Sequence, residues 1–160
     1  YSRYFGLKTV VLRGGCLTGG QHRGAKLHGF MNYLIRCALE GNSYEVIGYK
    51  GKQVRDNIHA KDVAKLIGIA ISKQGKVSYP VVANIGGGRV NAISIIELIS
   101  ILKRDFALNL DYTINNINRI GDHIWYITSN KDLKDIYGWV PTIPLRSIVD
   151  ETINELSKGE

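Results

Sequence analysis

The sequence predicts an α/β fold built on a parallel sheet, and three observations carry that prediction. Thr9-Val10-Val11-Leu12 and Pro80-Val81-Val82-Ala83-Asn84-Ile85 are short apolar runs without polar alternation, as expected of strands buried on both faces of a parallel sheet. Each run is followed by glycines, Gly14-Gly15 and Gly86-Gly87-Gly88, as at the carboxyl edge of a nucleotide-binding sheet. Amphipathic stripes of helical period separate and follow these runs.

Composition narrows the function classes. The 160 residues suffice for one ordinary core, and 44% hydrophobic with 22% charged residues is a globular profile. Lys and Arg interrupt every apolar stretch before it reaches membrane-spanning length. Two cysteines, Cys16 and Cys37, have no CxxC or metal-ligand spacing, so no metal site and a reduced, cytoplasmic setting are expected. The net charge of +7 suits a solvated surface or attraction of anions. No block of five like charges exists, and basic residues are not interleaved with aromatics, which argues against a nucleic-acid surface.

Tyr1 to Leu7 reads as the last turn of a helix stopped by Gly6. Helix, glycine and buried strand form half of a βαβ unit, so the chain is expected to begin inside a domain. Gly14, Gly15, Gly19, Gly20 and Gly24 crowd a polar segment where backbone N–H groups can approach a ligand. The spacing fails as a Walker site, because Ala25 separates Gly24 from Lys26 and Leu27 follows. Leu27, Phe30, Met31, Leu34, Ile35, Ala38 and Leu39 recur at helical spacing up to Gly41, with the helix start against the glycine loop. Glu45 to Tyr49 is a short strand.

The segment from Gly51 to Val63 is the centre of the chain. It holds a glycine turn, Arg55 among polar neighbours, and Asp62 at a helix start. Arg55 reads as an anion clamp, with internal pairing to Asp56 or Glu45 as the alternative. Val63, Ile67, Ala70 and Ile71 continue as a helical stripe. Ser94-Ile95-Ile96-Glu97 is a capping box before Leu98, Ile99 and Leu102. Leu110 to Ile114 alternates as a half-exposed strand. Arg119-Ile120-Gly121-Asp122-His123 is a second arginine-bearing loop. Lys131 to Tyr137 is a short helix ended by Gly138, and Leu145 to Leu156 is a closing amphipathic helix.

Four motifs, in order along nearly the whole chain, resemble the extended short-chain dehydrogenase/reductases, the NAD-dependent sugar-nucleotide epimerases and dehydratases. Tyr4-Phe5-Gly6-Leu7 with Thr9 to Arg13 resembles the strand after the catalytic helix. Gly51-Lys52-Gln53-Val54-Arg55-Asp56-Asn57-Ile58-His59 resembles the G-x-Q-x-R-D-x-x-H segment. Ala83 to Gly88 resembles a late sheet strand. Arg119-Ile120-Gly121-Asp122 resembles the R-P-G-D loop, with Ile120 in place of proline. Gly14 to Gly19 and Leu27-His28-Gly29-Phe30 look closest to the CDP-paratose (CDP-tyvelose) 2-epimerase branch.

The resemblance implies the C-terminal portion of a Rossmann-type protein with its small α/β substrate-binding lobe. Residues 1–16 and 59–86 would belong to the NAD-binding lobe, and 17–58 and 87–160 to the nucleotide-sugar lobe. It further implies that Arg55 and Arg119 hold the diphosphate, each guanidinium offering a planar fork to phosphate oxygens. Asp122, Leu27, His28, Val46, Ile47, Gly48 and Cys16 would line the substrate site. Arg13, Gly14 and Gly15 would touch NAD. His59 and Asp62 would be structural.

The family's G-x-x-G-x-x-G and its helical Tyr-x-x-x-Lys are expected before residue 1. The literal match Tyr4 to Lys8 is broken by Gly6. In the family's scheme NAD oxidises a sugar carbon, a transient ketone forms, and reduction completes inversion. This chain would bind and orient a nucleotide-diphosphate sugar, with a CDP-sugar favoured, and no catalytic residue is assigned within it. Association with itself or with an N-terminal half is expected. Other readings are a 4-epimerase or 4,6-dehydratase fragment, or a non-catalytic basic module for nucleotides or RNA.

Overall fold

The computed structural model describes residues 1–22, 24–25 and 28–158. The chain is mixed α/β. A single helical turn, α1 (Ser2–Phe5), stops at Gly6, whose backbone is left-handed. Strand β1 (Val10–Gly14) pairs in parallel with β5 (Val81–Ile85), from Val10 opposite Val81 to Gly14 opposite Ile85. Helix α3 (Ala60–Ser72) runs between them in sequence, and α5 (Lys131–Tyr137) packs on β5.

Both strands depart from the expectation of burial on two faces. Val81, Ala83 and Ile85 are buried, while Val11 and Val82 are 47% and 46% exposed. Val10, Leu12 and the buried residues of β5 share a core with Leu66 of α3 and Leu133 and Tyr137 of α5. Helices thus cover one face only, and the period-2 alternation of a strand leaves Val11 and Val82 on the other.

The second sheet is organised on β4 (Val54–His59). β2 (Cys16–Thr18) runs parallel to its C-terminal half, β6 (Ala92–Ser94) antiparallel to its N-terminal half, and β8 (Trp125–Tyr126) parallel beside Val54 and Arg55. A third, two-stranded parallel sheet joins β3 (Tyr44–Ile47) and β7 (Tyr112–Asn115). Helices α2 (Phe30–Glu40), α4 (Ile95–Phe106) and α6 (Leu145–Ser157) enclose a second core with β3, containing Leu34, Ile35, Val46, Leu98, Leu102 and Ile148.

Several local signals act as the sequence suggests. Ser94 and Glu97 form the full capping box of α4, and Gly138 ends α5. His59 caps α3 by accepting from the Lys61 amide at 3.0 Å. Asp62, fully buried, accepts from Thr142 N, Thr142 Oγ1 and Ile143 N at 2.8–3.0 Å. That anchors the Pro141–Pro144 connection to α3. One difference concerns the segment after residue 87. Leu133, Tyr137 and Trp139 pack with β5 and α3, not with the β3 core, because α5 lays its apolar face on the β1–β5 sheet.

Candidate functional site

One strand and one loop bring the proposed anion-binding residues to one cavity of about 240 Å³. Arg55 enters from β4, and Arg119 and Asp122 from the loop before β8. Arg55 Nη2 donates to Asp122 Oδ1 at 2.5 Å, and Nη1 to Val54 O at 2.7 Å. Its partner is therefore Asp122, 67 residues away in sequence, not Asp56 or Glu45. The pair is largely shielded, the side chains being 16% and 20% exposed. A guanidinium carries five N–H donors, so two such bonds leave three for a ligand. Arg119 is exposed at the rim.

The second jaw is shaped by a tight turn. Asp122 N donates to Arg119 O at 3.2 Å, and Gly121 has φ +78°. A four-residue turn with a positive φ at its third position is of type II, which favours Pro at the second. Ile120 occupies that position with its side chain fully exposed. The loop is tied back to β4 by Val54 N donating to Ile124 O at 2.9 Å, in addition to the Arg55–Asp122 pair.

Other expected residues fall into distinct places. His28 and Cys16 line the clamp cavity and also a neighbouring one of about 550 Å³, which adds Gly15, Thr18, His22 and Asn57. Ile47 lines the clamp cavity. Val46 does not: it is completely buried, and strand alternation turns its side chain into the α2–α4–α6 core. Gly48 packs against Asn118, whose side chain accepts from Tyr49 N. Leu27 lies outside the described residues. Arg13 and Gly14 are exposed at the carboxyl end of β1. A Cβ on Gly15 would meet Tyr126 at 3.1 Å and Asp56 Oδ1 at 3.4 Å, so that position is closely packed by protein groups. Tyr4 is 79% exposed, and α1 ends between it and Lys8.

The electrostatics assign Cys16 a passive chemistry. Burial pushes its thiol up to about 11; Arg55 pulls the other way, and Asp56 and Asp122 push it further up. The thiol stays protonated at neutral pH and is no nucleophile. Burial and the neighbouring His28 both lower the pKa of His22. Burial raises Tyr44, which belongs to the core behind the cavity, to about 12.

Sequence reasoning missed three contributors. Glu45 appeared only as a possible partner of Arg55, yet it lines the cavity beside Gln53. The alternation of β3 was the available signal: Tyr44 and Val46 are buried, placing Glu45 and Ile47 on the opposite face. Asp56 is the third. It is fully buried, and its Oδ2 accepts from Gly88 N at 2.9 Å and Thr128 N at 3.0 Å. It thus ties β4 to the loop after β5 and to the segment after β8. Gly87 makes the crossing possible, since a Cβ there would lie 1.9 Å from Asn57 O. Among the described residues, no group of three or more His, Cys, Asp or Glu side chains is placed to hold a metal ion. None of their helices is long and apolar enough to cross a membrane.

Residues 1–86 match the model of the NAD dependent epimerase/dehydratase family. Over 156 residues the chain is 31% identical to CDP-paratose 2-epimerase of Salmonella typhi, covering 94% of this chain and 45% of that protein. It superposes on UDP-glucose 4-epimerase of Thermotoga maritima with UDP-glucose at a TM-score of 0.86 and 25% identity, covering 99% of this chain and 48% of that one. MoeE5 in complex with UDP-glucuronic acid and NAD superposes at 0.82 with 25% identity, covering 96% and 48%. The chain spans about half the length of the relatives it matches.

Proposed function

The chain belongs to the NAD dependent epimerase/dehydratase family, and from that premise we propose that it is the nucleotide-sugar-holding part of an epimerase. Arg55 and Arg119 grip the diphosphate of the substrate, and a CDP-sugar is favoured. The observation that carries this reading is the convergence of both arginines on one cavity, with Asp122 orienting Arg55. The likeness to CDP-paratose 2-epimerase supports the CDP-sugar and 2-epimerisation. In this reading residues 17–58 and 87–160 make up the nucleotide-sugar lobe, apart from α5, which packs on β5, and 1–16 with 59–86 the cofactor side.

NAD, when bound, accepts a hydride from the sugar and returns it. Arg13 and Gly14, exposed at the carboxyl end of β1, fit the edge of such a site. The G-x-x-G-x-x-G fingerprint is not among the 160 residues, so a full diphosphate cradle for NAD is not assigned to them. Nor is a tyrosine general base, since Tyr4 and Lys8 do not share a helix. The role assigned to the chain is binding and orientation, a large part of barrier reduction. Association with itself or with a further polypeptide segment completes this reading.

Titration calorimetry of the 160-residue chain with CDP tests it. Binding is expected, and Arg119→Ala weakens it about tenfold, the effect of one charge-assisted hydrogen bond. Absence of binding, or indifference to Arg119→Ala, would sink the clamp.

A further inference from the structure

Arg119 reaches the clamp cavity from an exposed rim, so its guanidinium is placed by the backbone that carries it. The far end of its loop is tied to β4 through Asp122 and Ile124. The near end is tied to the turn that follows β3. Gly48 N donates to Asn115 O at 2.8 Å, and Tyr49 N to Asn118 Oδ1 at 2.9 Å. Asn118 is the residue immediately before Arg119. Asn115 bends the chain between the two bonds, its Oδ1 accepting from Ile117 N at 3.0 Å. The turn that meets Asn118 is strained. Four successive residues, Gly48, Tyr49, Lys50 and Gly51, have φ of +73°, +47°, +53° and +72°. Glycine adopts left-handed backbone freely, but at Tyr49 and Lys50 it crowds Cβ against the carbonyl oxygen and costs free energy. Such strain persists where the surroundings fix it, and it collects at ligand clamps. Here both ends are fixed. A Cβ on Gly51 would lie 2.7 Å from Ile96 and 2.9 Å from Val46, and one on Gly48 would lie 3.2 Å from Asn118.

We propose that Asn118 is a positioning residue for Arg119, with the left-handed turn as its anchor. The Tyr49 amide holds the Asn118 side chain, and Asn118 fixes the backbone from which Arg119 reaches the diphosphate. This rests on the clamp reading above and deepens it. Asn118 is not among the residues that line the cavity, so it acts through its neighbour and not on the ligand. Without the bond to Tyr49, the start of the loop regains freedom, and binding must order it again at an entropic cost. The coupling runs both ways. A phosphate held by Arg119 must strengthen the Tyr49–Asn118 bond by the same factor as that bond strengthens the phosphate contact.

Calorimetry with CDP on the full chain, Asn118→Ala, Arg119→Ala and the double variant tests the proposal. Asn118→Ala weakens CDP about fivefold, the worth of one neutral hydrogen bond. In the Arg119→Ala background the same substitution changes the Kd by less than about twofold, because the group it positions is gone. A loss that persists without Arg119 would show a merely structural effect and overturn the proposal. So would an Asn118→Ala protein that binds CDP like the parent, and if Arg119→Ala still weakens binding the clamp survives. If Arg119→Ala changes nothing, or CDP does not bind, both readings fall together. Amide exchange supplies a readout that needs no variant at Asn118. Saturating CDP slows exchange of the Tyr49 amide in the parent and leaves it unchanged in Arg119→Ala. Should Asn118→Ala fail to fold, that pair of rates decides the matter, and a Tyr49 rate indifferent to CDP in the parent overturns the positioning role.

Discussion

Replacing Arg55 with alanine interrogates the clamp most directly. In the structure its guanidinium, on the cavity wall, spends one donor on Val54 O and one on Asp122, leaving three. Losing a single charged hydrogen bond to phosphate costs about 1.5–3 kcal/mol, or roughly a 10- to 150-fold rise in the Kd for CDP. A second effect has the same sign. Asp122 loses the cation that neutralises it, while still lining the anion site. Arg55→Ala therefore both removes an attraction and bares a repulsion. Asp122→Asn added to Arg55→Ala is expected to recover part of the loss, so the two substitutions are non-additive, as for groups in one network. Titration calorimetry with CDP at two salt concentrations, with circular dichroism to check the fold, measures both effects. A folded Arg55→Ala protein that binds CDP within twofold of the parent would refute the clamp. A double variant no tighter than Arg55→Ala would refute the role of Asp122 as counter-charge.

Ile120→Pro fits the second position of the type II turn and should stabilise the chain by about 0.4–1 kcal/mol in urea unfolding, through a less flexible unfolded state; destabilisation would mean that the turn is otherwise. Burial pushes the Asp62 carboxyl up, but hydrogen bonds from Ile143 and Thr142 and the charge of Lys65 together hold it below its ordinary value. A carboxyl lowered in the fold contributes stability that is fully present above its unfolded pKa, about 3.9, and is lost as pH falls through the folded one. Asp62→Asn should accordingly lower stability at neutral pH and flatten the acid limb of the stability–pH curve; an unchanged limb would disprove the assignment. Val11 and Val82 leave an apolar sheet face open, so light scattering should detect concentration-dependent association that Val11→Lys with Val82→Lys reduces. The chain incubated with NAD and a CDP-sugar should show no epimerisation, and clear turnover would contradict its assignment to binding alone.

Legibility in the sequence followed the range of the interaction. The α4 capping box and the α5 stop depend on residues within a few positions of each other, and Ser94, Glu97 and Gly138 announced them. The helical stripes were equally plain, since Leu98 and Leu102 repeat with the helix. The arginine-bearing segments could be picked out, but not what Arg55 pairs with, because Asp122 arrives from another loop. Burial on both faces of β1 was over-read: an apolar run reports what a strand can bury, and its neighbours decide what it does bury. Val46 and Ile47 were grouped as one stretch near the substrate, although strand alternation sends one to the core and the other to the cavity. Asp56 entered only as a possible partner of Arg55, because a buried carboxylate bound by two distant backbone amides has no local pattern.

The position of the clamp follows from the double membership of β4. Its second half, Asn57 to His59, pairs with β2, while its first half, Val54 to Asp56, pairs with β6 and β8. Arg55 sits in the first half, directly beside Tyr126 of β8. The loop carrying Arg119 leads into that same strand, and the Ile124 carbonyl is bonded to Val54. The two jaws are therefore not independent loops that happen to meet. Both are hung on one strand, and the residue after Arg55, Asp56, fixes that strand to Gly88 beyond β5 and to Thr128 beyond β8. A shift of β4 would carry Arg55, Asp122 and Arg119 together and preserve the spacing of the clamp. Its distance from the carboxyl edge of β1 and β5 would be held by Asp56 together with the β2 ladder, which begins one residue after β1. That divides the labour physically: Asp122 sets the geometry within the clamp, and Asp56 sets the geometry between the clamp and the sheet edge. Asp56→Asn, which keeps one acceptor oxygen, should thus disturb the second geometry more than CDP affinity. Amide exchange at Gly88 and Thr128 faster than in the parent, with a CDP Kd changed by less than about threefold, is the expected pair of results. A collapse of CDP affinity with both amides still protected would show that Asp56 acts on the clamp itself.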